Sequence, residues 1–309
     1  MITQTMKQRT ENVRNSIKYS QNFLRDPQLV QRLVEKSSID SNDMVIDIGS
    51  GRGVIAEILS SRCRKVIAIE TDSGLVDKLK QKFRDYSNVQ IQAGDFLASD
   101  LPSEPYKVFS NIPFNKTADI IRKLINTSQS PVDAYLIVQK ESALKYTGSP
   151  LSKETLFSVT IKPWFELTTE HNFQKTDFDP RPSIEIVLLR IRKRETPLIS
   201  EHQAKLYRDF VSYVFNRSNP NLKRGLRDVF TSTQFSRISQ TLHANESVTP
   251  TQLLFDQWLD LFQSFLTLVD NNKKMVVAGS AAKLEKEQSR LEKVHRTRVS
   301  KNWKKEAIF

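Results

Sequence analysis

Three of the chain's eight glycines, Gly49, Gly51 and Gly53, fall within five residues directly behind a short β-branched run, Met44-Val-Ile-Asp-Ile48. A strand that runs into Asp47-Ile-Gly-Ser-Gly-Arg-Gly53 must turn sharply into the next element. Glycine alone enters the left-handed region freely, and it leaves bare backbone for a ligand to approach at a helix N-terminus. The spacing differs at its third glycine from the dinucleotide fingerprint G-x-G-x-x-G, and ordinary turns also carry such glycines. Taken alone, the turn leaves a nucleotide-like ligand and a plain strand-to-helix corner both open.

The sequence around the turn narrows the choice. Further β-rich runs come at Lys65–Glu70, Val89–Gln92, Lys107–Ser110 and Ala134–Val138, each separated by enough chain for a crossover helix. The intervening segments show helical period: Leu75, Val76, Leu79 and Phe83 share a face, as do Ile120, Ile121, Leu124 and Ile125. Five strands in this rhythm predict a doubly wound α/β sheet. Asp26-Pro27 predicts an N-cap with proline at the first helical position, and Ile184–Ile191 predicts a closing strand after the proline-rich Asp179-Pro-Arg-Pro182.

After about residue 195 the strand pattern stops, and the sequence predicts an all-α domain with helices at 202–215, 222–230, near 233–242 and at 251–269. Residues 281–295 are charged nearly all round and predict a mobile or partner-ordered tail. The predicted organisation is a basic arm at 1–20, an α/β domain at 21–194, a helical domain at 195–270 and a basic extension at 271–309.

Composition sharpens the class. The single cysteine, Cys63, excludes an internal disulfide and a cysteine-based zinc site. No apolar stretch approaches the roughly 18–20 residues that span a bilayer, and no signal-peptide core stands at the N-terminus, so a cytoplasmic protein is expected. The net charge of +12 sits mostly at the ends: residues 1–20 carry +3 and residues 273–309 carry +7, leaving +2 between them. Basic ends on a nearly neutral body point to a polyanion, nucleic acid first, with a solubilising tail as the bland alternative.

Two acids complete a pocket with the glycine turn. Glu70 ends the second run, where a carboxylate can accept both hydroxyls of a ribose, and Asp95 comes just after the third, where it can meet an adenine amino group. Either could instead be a helix cap or a solvated loop residue. Ligands of open α/β sheets bind at the carboxyl ends of strands, so three consecutive loops describe one adenosine pocket. The fourth run ends in Asn111-Ile-Pro-Phe114, an amide carbonyl, a stiffened turn and an aromatic face. Those are the needs of exocyclic amine methylation, because the adenine N6 lone pair is delocalised and the site must accept its hydrogens while holding it in line with a methylsulfonium.

Ser20-Gln-Asn-Phe-Leu24, the glycine turn, Glu70, Asp95-Phe96, Asn111-Ile-Pro-Phe114 and Phe178-Asp-Pro-Arg-Pro-Ser-Ile184 together resemble the rRNA adenine N6-methyltransferases over roughly residues 12–268. Within that family the Asn-Ile-Pro-Phe form and the arginine of the glycine turn are similar to the Erm group, which methylates an adenine of large-subunit rRNA and confers macrolide, lincosamide and streptogramin B resistance. The resemblance implies a Rossmann-like sheet, S-adenosyl-L-methionine as cofactor, no metal, protein-free large-subunit rRNA as partner, and a monomer with no obligate protein partner. It implies that Gln21, Asn22 and Leu24 close over the cofactor and that Gly49 and Gly51 back its methionine end. Glu70 would hold the ribose, and Asp95 with Phe96 the adenine. Asn111, which would also touch the cofactor, and the Ile112 carbonyl would accept from the target amine beside Pro113. Phe114 would stack on the flipped base, with Phe178 as second face, lid or core aromatic. Arg190, Arg192, Lys193, Arg194, Lys223, Arg224 and Arg227 are candidate phosphate contacts or simply solvated charge. The basic extension, with Trp303 among its lysines, is expected to add nonspecific RNA affinity. Three other readings stand beside this one: a small-subunit rRNA adenine dimethyltransferase, a noncatalytic RNA-binding factor and a small-molecule methyltransferase.

Overall fold

The computed structural model describes residues 22–216, 221–245 and 247–290, and these divide between two compact units that meet in sequence at Ser200 and Glu201. In the first unit the two-residue strand Phe23–Leu24 (β1) leads into the helix Pro27–Glu35 (α1). Asp26 caps that helix, accepting from the Gln28 amide at 2.9 Å, with Pro27 at the first position. The chain continues through Met44–Ile48 (β2), Val54–Ser60 (α2), Lys65–Glu70 (β3), Ser73–Lys82 (α3), Val89–Ala93 (β4), Lys107–Asn111 (β5), Thr117–Ile125 (α4) and Asp133–Gln139 (β6). Next come Lys140–Thr147 (α5), Leu156–Ile161 (α6), Phe165–Asn172 (β7), Phe178–Asp179 (β8) and Ile186–Lys193 (β9).

One seven-stranded sheet runs in the order β4-β3-β2-β5-β6-β9-β7. The first five strands are parallel, and β9 and β7 close the sheet antiparallel. Strand order reverses between β2 and β5, where a crevice opens at the carboxyl ends. Strands β2 and β6 are buried nearly throughout, which is why they read as unbroken apolar runs.

Several elements differ from the sequence expectation. The closing strand is Ile186–Lys193 rather than Ile184–Ile191, since the proline-bearing loop extends further into it. Edge strand β7 and helices α5 and α6 have no counterpart in that expectation.

In the second unit, Glu201–Phe215 (α7), Leu222–Gly225 (α8), Ser232–Thr241 (α9), Phe255–Leu268 (α10), Asn271–Lys274 (α11) and Ser280–Arg290 (α12) assemble around aromatic rings. Phe210 stacks on Phe265 at 4.6 Å, and Phe215 on Trp258 at 5.2 Å. The helix expected over 222–230 ends at Gly225, and the one expected from Thr251 begins at Phe255 after a separate turn at Pro250–Gln252. Leu254 is extended, and Gln257 Oε1 accepts from its amide at 2.7 Å to start the helix. The stretch expected to be a mobile or partner-ordered tail forms a helix as far as Arg290, while residues 291–309 lie outside the described residues. Among the described residues no helix is long and apolar enough to cross a membrane.

Gly53 shows how the glycine turn is tied to packing. It caps α2 at φ +75°, and a Cβ there would lie 2.7 Å from Leu79 Cδ2 and 2.8 Å from Phe83 Cε2. Gly53→Ala therefore combines left-handed strain with overpacking and is expected to cost about 2–3 kcal/mol in denaturant unfolding. A loss below about 0.5 kcal/mol, within the range of an ordinary surface change, would refute the packing role.

Candidate active site

The site is assembled from the loops at the ends of β2, β3, β4 and β5. Gly49 and Gly51 adopt φ +72° and +55°, and the Ile69 carbonyl accepts from the amides of Gly49 (2.8 Å) and Ser50 (3.1 Å). A Cβ on Gly49 would sit 3.5 Å from Pro113 Cδ, an ordinary contact, so it is the positive φ that calls for glycine there. Ser110 Oγ accepts from the Ile48 amide at 2.7 Å and binds β2 to β5 immediately beneath.

Glu70 is 2% exposed. Its Oε2 accepts from the Gly51 amide at 2.8 Å, and its Oε1 from the amides of Thr71 (2.8 Å) and Asp72 (3.0 Å). Backbone donors thus hold both oxygens of a carboxylate in the cavity wall. Asp95 caps the turn Phe96–Ala98 by accepting from the Leu97 amide at 2.9 Å. The Lys123 ammonium fixes the same loop, donating to the carbonyls of Phe96 (2.6 Å), Leu97 (3.1 Å) and Ser99 and lying 4.9 Å from the Phe96 ring centroid. Burial pushes its pKa down.

Asn111 Nδ2 donates to the Asn22 carbonyl at 2.7 Å, which ties the N-terminal segment over the end of β5. With its amine committed there, the amide carbonyl is the group left to accept from a substrate.

A cavity of about 270 Å³ joins these parts. Of the residues expected from the sequence, Asn22, Gly49, Glu70, Asp95, Phe96, Asn111, Ile112, Pro113 and Phe114 line it. Gly51 lies behind the wall and meets it through Glu70. Gln21 lies outside the described residues.

Two expected residues are placed elsewhere. Leu24 turns into the core, while its neighbour Phe23 lines the cavity, with the Arg52 guanidinium 4.6 Å from its ring. Phe178 is wholly buried, packs edge-on against Phe173 at 5.4 Å and does not line the cavity. The cause is the β1–β8 ladder, which sets Phe178 opposite Leu24 and faces both inward. Phe23 is one of the lining residues that sequence reasoning misses, with Thr71, Leu97, Asn115 and Lys116 among the others; it stands within the quoted motif, but which face of a two-residue strand is wet depends on its partner.

The expected phosphate contacts divide similarly. Arg190 forks onto Asp133 with contacts of 2.6–3.1 Å and lies 5.3 Å from the Tyr135 ring centroid. The hydrogen-bonded carboxylate raises the guanidinium pKa further still. Arg190 is therefore a strut across the sheet rather than a free cation. Arg194 pairs with Glu166 at 2.9 Å, and Arg192 with the same carboxylate at 4.0 Å. Lys193, Arg224 and Arg227 are exposed and Lys223 is half-buried, with Arg227 3.6 Å from Asp228.

Asp47, which opens the glycine motif, has no role assigned on sequence grounds. It is 1% exposed, and neither carboxyl oxygen has a hydrogen-bond partner among the described residues. Burial, reinforced by the nearby Glu70 charge, pushes its pKa up to about 7. A raised carboxyl pKa means that the fold favours the protonated form, so stability falls as pH rises from that of the unfolded aspartate through about 7. Asp47→Asn removes this dependence. Between pH 5 and 8 the variant should gain on the parent by up to roughly 2–3 kcal/mol in chemical denaturation; a stability difference that stays flat with pH would rule the buried acid out.

The family described as ribosomal RNA adenine dimethylase matches residues 12–266. The chain belongs to this family. An rRNA adenine N-6-methyltransferase of Bacillus licheniformis is 30% identical over 254 residues, 82% of this chain and 88% of the relative. Ribosomal RNA small subunit methyltransferase A of Thermotoga neapolitana is 30% identical over 231 residues, 73% and 86% of the two chains. Among solved structures, the 23S rRNA methyltransferase ErmE shares the fold with a TM-score of 0.75 at 24% identity, covering 80% of this chain and all of that one. The protein is thus an S-adenosylmethionine-dependent rRNA adenine methyltransferase.

Proposed function

We propose that the chain methylates the N6 amine of one adenine in protein-free large-subunit rRNA and so confers macrolide, lincosamide and streptogramin B resistance. The observation that carries this reading is the single cavity in which Glu70, Asp95 and Phe96 meet Asn111, Ile112 and Phe114.

The residues fit S-adenosylmethionine. The glycine turn, with Gly49 at φ +72°, brings backbone to the cavity wall, and Glu70, held by three backbone amides, presents a fixed carboxylate to a diol. When bound, the cofactor supplies an electrophilic methyl on a sulfonium. The Asn111 carbonyl and the Ile112 backbone carbonyl accept the two N6 hydrogens, which localises the nitrogen lone pair and aims it. Phe114 gives the extruded base a stacking face at the mouth. The N6 proton is lost from a nitrogen that has become cationic on alkylation, so its acidity is already high and no base of shifted pKa is required.

The large-subunit target is favoured by the resemblance of Asn111-Ile-Pro-Phe114 and of the arginine-bearing glycine turn, Gly49-Ser-Gly-Arg-Gly53, to the Erm group. The rRNA adenine N-6-methyltransferase of B. licheniformis, whose name specifies no subunit, and the small-subunit relative are both 30% identical to this chain. That relative's equal identity supports a second reading, small-subunit adenine dimethylation. In the proposed reading the chain acts as a cytoplasmic monomer, where rRNA is still free of protein. The helical unit and the exposed Lys193, Arg224 and Arg227 contact phosphates.

The test gives the protein methyl-labelled S-adenosylmethionine with protein-free large- and small-subunit rRNA in parallel. Label in the large-subunit RNA, with macrolide resistance in a sensitive host expressing the gene, is the expected result. Label confined to the small-subunit RNA would replace the first reading with the second.

A further inference from the structure

The family match ends at residue 266, yet the chain beyond it is built into the helical unit. Asp209, on α7 and 4% exposed, accepts from the amides of Gly279 (2.9 Å) and Ala281 (3.0 Å). A carboxylate from one helix thus caps the N-terminus of another, where the exposed N–H groups and the dipole favour negative charge. Val277 is fully buried, and Gly279, at φ +80°, turns the chain into α12. Seven residues on, just past the end of α7, Asn216 Nδ2 reaches Glu287 of α12 at 3.4 Å. The two helices therefore run side by side in the same direction over about 10 Å.

This docking decides which way α12 faces. Ser280, Ala281 and Leu284 are half-buried toward α7, while Lys283, Lys286 and Arg290 are exposed. At 100° per residue these three cations fall within about 60° of one another, on an exposed face that begins at the α7 contact, Lys283 bordering a cleft with Tyr213 and Asn216. The helix N-terminus is already occupied by Asp209, so the side chains alone are available to an anion.

We propose that α12 is a docked cationic rail for the phosphate backbone of the substrate RNA, with Lys283, Lys286 and Arg290 as its contacts and Asp209 as the residue that positions it. The extension carries +7, and RNA is the polyanion that the family's reaction supplies. The proposal rests on RNA being the substrate, but not on which subunit it comes from. Phosphate contacts of this kind add affinity without sequence preference, and they release counterions.

The test uses the full chain carrying Lys283→Gln, Lys286→Gln and Arg290→Gln together, with binding to protein-free rRNA measured by anisotropy across a salt series. About tenfold weaker binding near 0.1 M salt is expected, and the slope of log K against log salt should shrink by roughly 2–3. At saturating RNA, kcat should stay within about twofold of the parent, since the cavity is untouched. Asp209→Ala should weaken binding similarly, and adding it to the triple variant should change little further. Should Asp209→Ala fail to fold, the triple variant still decides the matter.

Parental affinity and salt slope in the triple variant would overturn the proposal, as would unchanged RNA binding with a concentration-dependent sedimentation shift, which would assign the face to a second copy of the chain. A parent that methylates neither rRNA while the triple variant still loses RNA affinity would overturn the assigned reaction and leave the rail standing.

Discussion

Asn111→Ala is expected to lower kcat for methyl transfer to rRNA about 10²–10³-fold, the effect of removing one preorganised polar group from a reacting centre. Nδ2 of Asn111 is already held by the Asn22 carbonyl at 2.7 Å, so the side chain is oriented before substrate arrives. Alanine removes both the acceptor and the tether. Affinity for S-adenosylmethionine should change by no more than severalfold, because Glu70, Asp95 and the glycine turn are anchored independently of Asn111. Equilibrium binding of the cofactor alongside single-turnover methylation separates the two effects. Equal losses in cofactor binding and turnover would show that Asn111 is a wall of the cofactor site and not an acceptor for the amine.

Glu70→Gln is expected to weaken S-adenosylmethionine binding at least about thirtyfold and to cost roughly 2 kcal/mol of stability, although it replaces one side chain with another of nearly the same shape. Both carboxylate oxygens accept from backbone amides: Gly51 on one side, Thr71 and Asp72 on the other. A carboxamide keeps one acceptor and turns an NH₂ group toward the remaining donors, leaving a buried N–H facing N–H. The Gly51 amide then loses the contact that draws the glycine turn against β3, so ribose recognition and the shape of the turn fail together. Calorimetric titration and thermal unfolding would measure both losses. A variant that binds the cofactor as the parent does would remove Glu70 from the site.

How much of the fold and the site is legible in the sequence depends on whether the deciding partner is local. The central strands are legible because burial on both faces makes Val45-Ile-Asp-Ile48 and Ala134-Tyr-Leu-Ile-Val138 nearly continuous apolar runs. Strand β7 is not, because at the sheet edge its alternating positions are only half-buried, and beyond Phe165 and Leu167 they carry polar side chains in place of an apolar run. The site is legible wherever a residue works through its own turn, as Gly49, Glu70, Asp95 and Asn111 do at the ends of their strands.

It is illegible where a distant residue decides. Arg190 looks like a phosphate contact until Asp133, 57 positions away, is seen to take its guanidinium. Phe178 looks like a lid until pairing with β1 turns it inward. α12 has almost no apolar stripe of its own, and the acid that caps it lies 70 residues earlier. Asp47 gives a different signal: an acid inside a run otherwise apolar, whose burial only the sheet reveals.

The most direct test of the central claim, that adenine N6 is alkylated at the carboxyl ends of β2 and β5, is to digest rRNA after reaction and identify the modified nucleoside by mass spectrometry. N6-methylated adenosine at a single position, formed by the parent and absent with Asn111→Ala, is the expected result. Methyl groups on a ribose or a ring carbon, or N6-methyladenosine formed equally by the Asn111 variant, would contradict it.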